Sequence, residues 1–151
     1  MPNRKSGYSY RFQKAWSWPG SVEDFLSNFL VSPSLHACCG ESKLGDVRVD
    51  LFTECDVRAD IFHLPFRDDV FNTVLMDPPW NMPYNLRPRV VFEAKRVLRE
   101  GGRLIFNAPW WPNAEGLYVR EVWFAKPKAY RNCPLFIIAE KQSQRDKTDY
   151  I

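Results

Sequence analysis

The sequence predicts an α/β fold, a mostly parallel sheet covered by helices on both faces, from three features of its 151 residues. Short apolar pieces at 35–39, 47–52, 57–61 and 73–76 follow one another without the polar alternation of a half-solvated strand. Segments with helical spacing stand at 22–30 and 88–99, so strand and helix patterns are interleaved. Carboxylates and turn residues gather just after the apolar pieces, where ligands bind in a sheet of this kind.

Residues 1–20 form a basic aromatic segment, with Arg4, Lys5, Arg11 and Lys14, no acid, and Tyr8, Tyr10, Phe12, Trp16 and Trp18 among them. Cations interleaved with aromatics suit a nucleic-acid strand, with phosphates outside and bases to stack. The other reading is a tail whose aromatics close one end of the core. One domain follows, 21–151.

Ser21 is the expected cap of the first helix, with Asp24 in the capping-box position and Val22, Phe25, Leu26, Phe29 and Leu30 at helical spacing up to Pro33. The second helix, 88–99, turns Val90, Val91, Ala94, Val97 and Leu98 inward and Arg89, Glu93, Arg96 and Glu100 outward, and Gly101-Gly102 is its expected C-cap. A fifth strand is expected at 103–107, and two more at 119–125 and 135–139, joined by a turn and so antiparallel.

Composition limits the function. With 45% hydrophobic and 26% charged residues the chain reads as globular, and no run approaches the roughly 20 apolar residues of a membrane span. A cytoplasmic protein without membrane contact is expected. Cys38, Cys39, Cys55 and Cys133 form no CxxC pair and no zinc spacing, so no metal site is predicted and reduced thiols are the default. Nothing argues for a Cys55–Cys133 bridge.

The chemistry sits at the strand ends. The first strand runs into Ala37-Cys38-Cys39-Gly40, where a glycine lets backbone approach a ligand closely. The second ends in Asp50, a carboxylate able to grip ribose hydroxyls. The third ends in Asp60, ahead of Leu64-Pro65-Phe66, a carboxylate with apolar side chains that could frame an adenine ring. Each aspartate alone reads equally well as a cap or a solvated turn.

After the fourth strand stands Asp77-Pro78-Pro79-Trp80. Two prolines hold the backbone extended and remove two donors, leaving carbonyls free. Asp77 and the Pro78 carbonyl can then accept both hydrogens of one amino group, and Trp80 offers a face for a base. The loop 81–88, with Tyr84 and Arg87, is the natural lid. Asn107-Ala108-Pro109-Trp110 after the fifth strand forms a second wall around the base or closes the sheet edge. Arg89, Lys95, Arg96, Arg99 and Arg103 offer a phosphate-facing surface or a solvated helix face.

By Asp77-Pro78-Pro79-Trp80 and the strand-end pattern before it, the chain resembles class I S-adenosylmethionine-dependent amino-methyltransferases, whose hallmark is (Asp/Asn/Ser)-Pro-Pro-(Tyr/Phe/Trp). The resemblance runs from about Leu35 to Glu140. It implies a Rossmann-like, mostly parallel seven-stranded sheet with an antiparallel C-terminal hairpin, and S-adenosylmethionine as cofactor. The version with Asp first is typical of adenine-N6 enzymes, on DNA or, with tryptophan last, on RNA; DNA is the favoured substrate here. The match places Ala37, Cys38, Gly40, Asp50, Asp60, Leu64 and Asp77 at cofactor positions. It places Asp77, Pro78, Pro79 and Trp80 in the catalytic loop. The expected substrate contacts are Trp80, Tyr84, Arg87, Asn107, Pro109 and Trp110.

The chain departs from the family at two points. Only Glu41 to Asp46 separate the first two strands, a shortened first crossover without the usual helix or Gly-x-Gly, which leaves Trp16 or Trp18 as candidates for holding the methionine end. Residues 81–151 leave little surface for target recognition, so weak specificity, a homodimer or a specificity-supplying partner is expected. Rival readings are methylation of guanine N2, cytosine N4 or a protein glutamine, and a non-catalytic nucleic-acid-binding module.

Overall fold

The computed structural model describes residues 20–124 and 135–143. Its elements are α1 (Gly20–Ser27), β1 (Ser34–Ala37), β2 (Val47–Asp50), β3 (Val57–Arg58), β4 (Phe71–Met76), α2 (Arg87–Val97), β5 (Leu98–Phe106), β6 (Leu117–Phe124) and β7 (Leu135–Lys141). The strands form one seven-stranded sheet in the order β3-β2-β1-β4-β5-β7-β6. Pairs from β3 to β5 are parallel, and β7 runs antiparallel to both β5 and β6. The expected sheet, its C-terminal hairpin and the short first crossover are all present. Residues 1–19, with Trp16 and Trp18, lie outside the described residues, as do Cys133 and the 125–134 turn.

Side chains alternate between two cores. Val74, Met76, Leu104 and Phe106 face α2, whose Val90, Val91, Ala94 and Val97 are buried against them. Leu75, Ile105, Phe136 and Ile138 face the other way, onto Val22 and Leu26 of α1. Burying each aliphatic side chain contributes on the order of 1.5–3 kcal/mol before its entropic cost. Helices thus cover both faces, as expected, although β1 to β4 are joined by loops alone.

Three local expectations are corrected. Helix α1 begins at Gly20, ahead of the predicted cap Ser21, and ends at Ser27 instead of Leu30. Gly101-Gly102 does not cap α2. The helix stops at Val97, and Leu98 is already extended. Its last carbonyls are taken by tertiary partners instead: Asp69 N–H donates to Arg96 O (3.0 Å) and Val70 N–H to Val97 O (2.9 Å). The two glycines fall where the β4–β5 register jumps, between the Phe71–Leu98 and Thr73–Arg103 pairs, with Gly101 at φ 73°. Glu93 and Arg96 also do not point freely outward; both hold the 64–68 loop.

Candidate active site

The predicted site residues follow the C-terminal ends of parallel strands, and the sheet brings the central ones together. β4 and β5 are in register at Met76 and Phe106, so Asp77 and Asn107 are neighbours one step beyond. The Asp77 N–H donates to Ala37 O (3.2 Å) and the Asn107 N–H to Met76 O (2.9 Å). Asn107 Nδ2 donates to Asp77 Oδ1 (3.2 Å), and the Trp80 indole N–H donates to Asn107 O (3.1 Å). Burial pushes the Asp77 carboxyl up to about 7, and the nearby Trp80 indole N–H opposes that only in part.

Cys38, beyond β1, takes a left-handed backbone at φ 56°, as does Gly40 at φ 55°. A non-glycine residue in that region stores strain, which places Cys38 among positions held by their surroundings. Burial pushes the Cys38 thiol well up, and the charges of Asp77, Asp50 and Asp60 add to that. The charges of Asp77, Asp50 and Asp60 are thus all felt at the end of β1.

Asp50 organises the loops around that point. Its carboxylate accepts from the N–H groups of Gly40 (3.1 Å), Phe52 (2.8 Å) and Thr53 (3.0 Å). Burial alone would raise its carboxyl, but these N–H donors outweigh it and hold Asp50 below the usual range. Thr53 closes the ring by donating its hydroxyl to Gly40 O (3.1 Å). Asp60 is exposed and accepts from its own Phe62 N–H (2.9 Å). Leu64 is buried in the core beneath.

The lid residues form a separate stack. The Arg87 guanidinium lies 4.1 Å from the Tyr84 ring centroid and 5.2 Å from that of Trp110, while its Nε donates to Met82 O (3.1 Å). Trp110 also packs edge-on against Phe106, and its buried Nε1 has no partner among the described residues. Pro79, Trp80, Tyr84 and Pro109 are exposed, while Pro78 is buried.

Sequence reasoning named Asn107 as a wall residue and substrate contact and missed its bond to Asp77. An asparagine one residue past β5, level with an aspartate one residue past β4, was the available signal. The basic surface is smaller than the charge count suggests. Lys95 donates to Glu115 O, Arg96 to the 64–68 loop, Arg99 to Asp69 O, and Arg89 lies over Phe62. Among the described residues no group of three or more His, Cys, Asp or Glu could hold a metal ion, and no helix is long and apolar enough to cross a membrane.

No protein-family model matches the chain, and no curated protein matches it. Solved structures do. A protein studied for conversion of a disulfide bond into a thioacetal group during echinomycin biosynthesis matches at TM-score 0.64 and 13% identity, over 97% of this chain and 94% of that one. The N-methyltransferase NodS from Bradyrhizobium japonicum matches at 0.61 and 13%, over 81% and 92%. A SAM-dependent methyltransferase from Methanosarcina mazei matches at 0.54 and 14%, over 80% and 98%. With the strand order, these likenesses establish the class I S-adenosylmethionine-dependent methyltransferase fold.

Proposed function

We propose that the chain transfers a methyl group from S-adenosylmethionine to the exocyclic N6 amino group of adenine in nucleic acid, with DNA favoured over RNA. The observation that carries this reading is Asp77-Pro78-Pro79-Trp80, set directly after the central strand β4 with Asp77 half-buried and Trp80 exposed beside it.

The residues present suit this cofactor. Asp50, Asp60 and Asp77 lie at or just beyond the ends of β2, β3 and β4, around the end of β1, and their negative charge there suits a sulfonium cation. Asp50, Gly40 and the exposed Phe52 beyond β2 would take the ribose and adenine, with Asp60 and Leu64 on the far side. When bound, the cofactor supplies a methyl group already activated for transfer.

The chain's own work is to position and to neutralise charge. The amino nitrogen of adenine is a poor nucleophile because its lone pair is delocalised into the ring. Asp77 accepts one of its hydrogens and favours the tetrahedral nitrogen that can attack. A free oxygen beside it takes the other; in the family pattern this is the Pro78 carbonyl, to which no described residue donates. The ionised carboxylate stabilises the positive charge that develops on the nitrogen. Held near neutrality, it can also receive the proton the methylated nitrogen sheds. Trp80 stacks on the base, which a duplex would have to flip out and a single strand presents freely.

A second copy or a partner would supply sequence choice. The edge strand β6, which leaves Tyr118, Trp123 and Phe124 exposed, is available to one. A helix-free β1–β2 loop favours one rival, a nucleic-acid-binding module without activity.

Transfer of labelled methyl to single-stranded DNA, duplex DNA and RNA, with nucleosides identified by mass spectrometry, tests the reading. N6-methyladenine that disappears in Asp77→Ala is the expected result. Methylated guanine or cytosine would move the assignment to that amino group, and no transfer with no cofactor binding would leave the binding module.

A further inference from the structure

The site holds a second group suited to reading an amino hydrogen. Asn107 is 3% exposed, and its side-chain Oδ1 is buried without a hydrogen-bond partner among the described residues. The rest of the residue is fully engaged: its N–H donates to Met76 O, its carbonyl accepts from Trp80, and Nδ2 donates to Asp77 Oδ1. The orientation of the amide follows from the ionised state of Asp77, the state in which the site works. That carboxylate can only accept, so the nitrogen faces Asp77 and the oxygen faces away from it. A buried acceptor left unpaired is costly, and native proteins seldom keep one without a use.

We propose that Asn107 Oδ1 is the second acceptor of the target amino group, receiving one hydrogen while Asp77 receives the other. This rests on the amino-methylation reading above and adds the residue that selects the group. An exocyclic amino group brings two hydrogens to two side-chain acceptors held together by the Asn107–Asp77 bond. An exocyclic oxygen in the same place would face acceptors only and be repelled. Asn107 therefore sets the preference for amino over oxo bases, beyond positioning Asp77.

The test uses the full chain and single-stranded thymidine oligonucleotides carrying one adenine, one purine (which lacks the amino group) or one hypoxanthine. Binding of each is measured for wild type, Asn107→Ala and Asn107→Asp, with methyl transfer to the adenine oligonucleotide followed against pH. Wild type should prefer adenine to purine by about tenfold to a hundredfold, and Asn107→Ala should lose about tenfold of that ratio. Asn107→Asp keeps an acceptor of the same size, so it should keep the ratio even if the alanine variant folds poorly. It also sets a second carboxylate against Asp77, which moves the acidic limb of its rate profile to higher pH whatever the side chain touches. The adenine-to-purine ratio, which a merely structural role would not move, is therefore the deciding readout. Wild type that fails to distinguish adenine from purine overturns the amino-group reading itself. Wild type that distinguishes them while Asn107→Ala does so equally well overturns the role of Asn107 alone and returns the second hydrogen to Pro78.

Discussion

Glu93 and Arg96, one turn apart on α2, hold the Leu64 peptide from both sides. Glu93 Oε1 accepts the Leu64 N–H (3.1 Å), and Arg96 donates to Leu64 O (3.0 Å). Arg96 also donates to Phe66 O (2.7 Å) and Asp68 Oδ1 (2.9 Å), and its Nε is tied to Glu93 at 3.0 Å. The Glu93 and Asp68 carboxylates keep the guanidinium charged far above neutrality. The planar fork is what reaches so many acceptors together, so lysine cannot replace it.

Arg96→Lys should therefore loosen the 64–68 loop, lowering stability by about 1–3 kcal/mol and weakening S-adenosylmethionine binding severalfold. Denaturant unfolding and calorimetric titration check the two effects. Unchanged cofactor affinity in a destabilised variant would detach this loop from the cofactor site.

The Asp77 carboxyl gives opposite pH signatures in stability and in rate. Its proton is held more tightly in the folded chain, at about 7, than in the unfolded one, where a carboxyl titrates at about 4. Between those values the folded state binds the extra proton, so stability falls as pH rises through the window and levels off above it. The rate should rise over the same range, because only the ionised carboxylate accepts the amino hydrogen and opposes the developing charge. The Cys38 thiol, the Trp80 indole and the Asn107 amide surround the group, and none of them titrates in this window. Asp77→Asn should flatten the fall in melting temperature between pH 5 and pH 7 (an interval on the order of the window itself) while abolishing transfer. A melting temperature that falls equally in the variant would place the titration elsewhere.

The features that follow from local pattern were legible in the sequence. The strand end at Asp77 could be read because the apolar run stops at Met76, and the inward face of α2 because valines recur at helical spacing. The features that depend on tertiary register were not. Gly101-Gly102 reads locally as a helix cap, yet the 69–70 backbone takes the last helical carbonyls and leaves the glycines to a strand irregularity. Glu93 and Arg96 read as a solvated pair because nothing local shows that the 64–68 loop crosses above them. The bond from Asn107 to Asp77 spans 30 residues and exists only because β4 and β5 are adjacent.

Gly102 tests the strand irregularity. A Cβ there would meet Arg99 O at 2.8 Å, Asn72 O at 2.9 Å and Leu98 Cδ1 at 2.9 Å, and two of those atoms are backbone. Gly102→Ala should destabilise the chain by about 1–3 kcal/mol. At Gly101, Cβ would meet nothing within 4 Å, so only its φ of 73° opposes substitution. Gly101→Asn, which tolerates that conformation, should cost well under half as much in the same unfolding experiment. Equal losses at both positions would mean that strain, and not the close backbone approach, governs this turn.

Trp80 separates stacking from support. Its ring is 37% exposed while its N–H is spent on Asn107 O at 3.1 Å, so one edge is anchored and the rest is available to a base. Trp80→Phe keeps an aromatic face and loses one hydrogen bond, about 0.5–1.5 kcal/mol, part of which should appear as lower stability. Trp80→Ala loses the face as well, and a base stacked on it is worth about 1–3 kcal/mol, or roughly tenfold to a hundredfold in affinity for a single strand. Oligonucleotide binding should therefore fall in the order wild type, Phe, Ala, whereas the melting temperature should drop by similar amounts in the two variants. A variant pair that differs in melting temperature and binds the oligonucleotide equally would make Trp80 a strut for the Asn107 loop and leave the base to stack elsewhere.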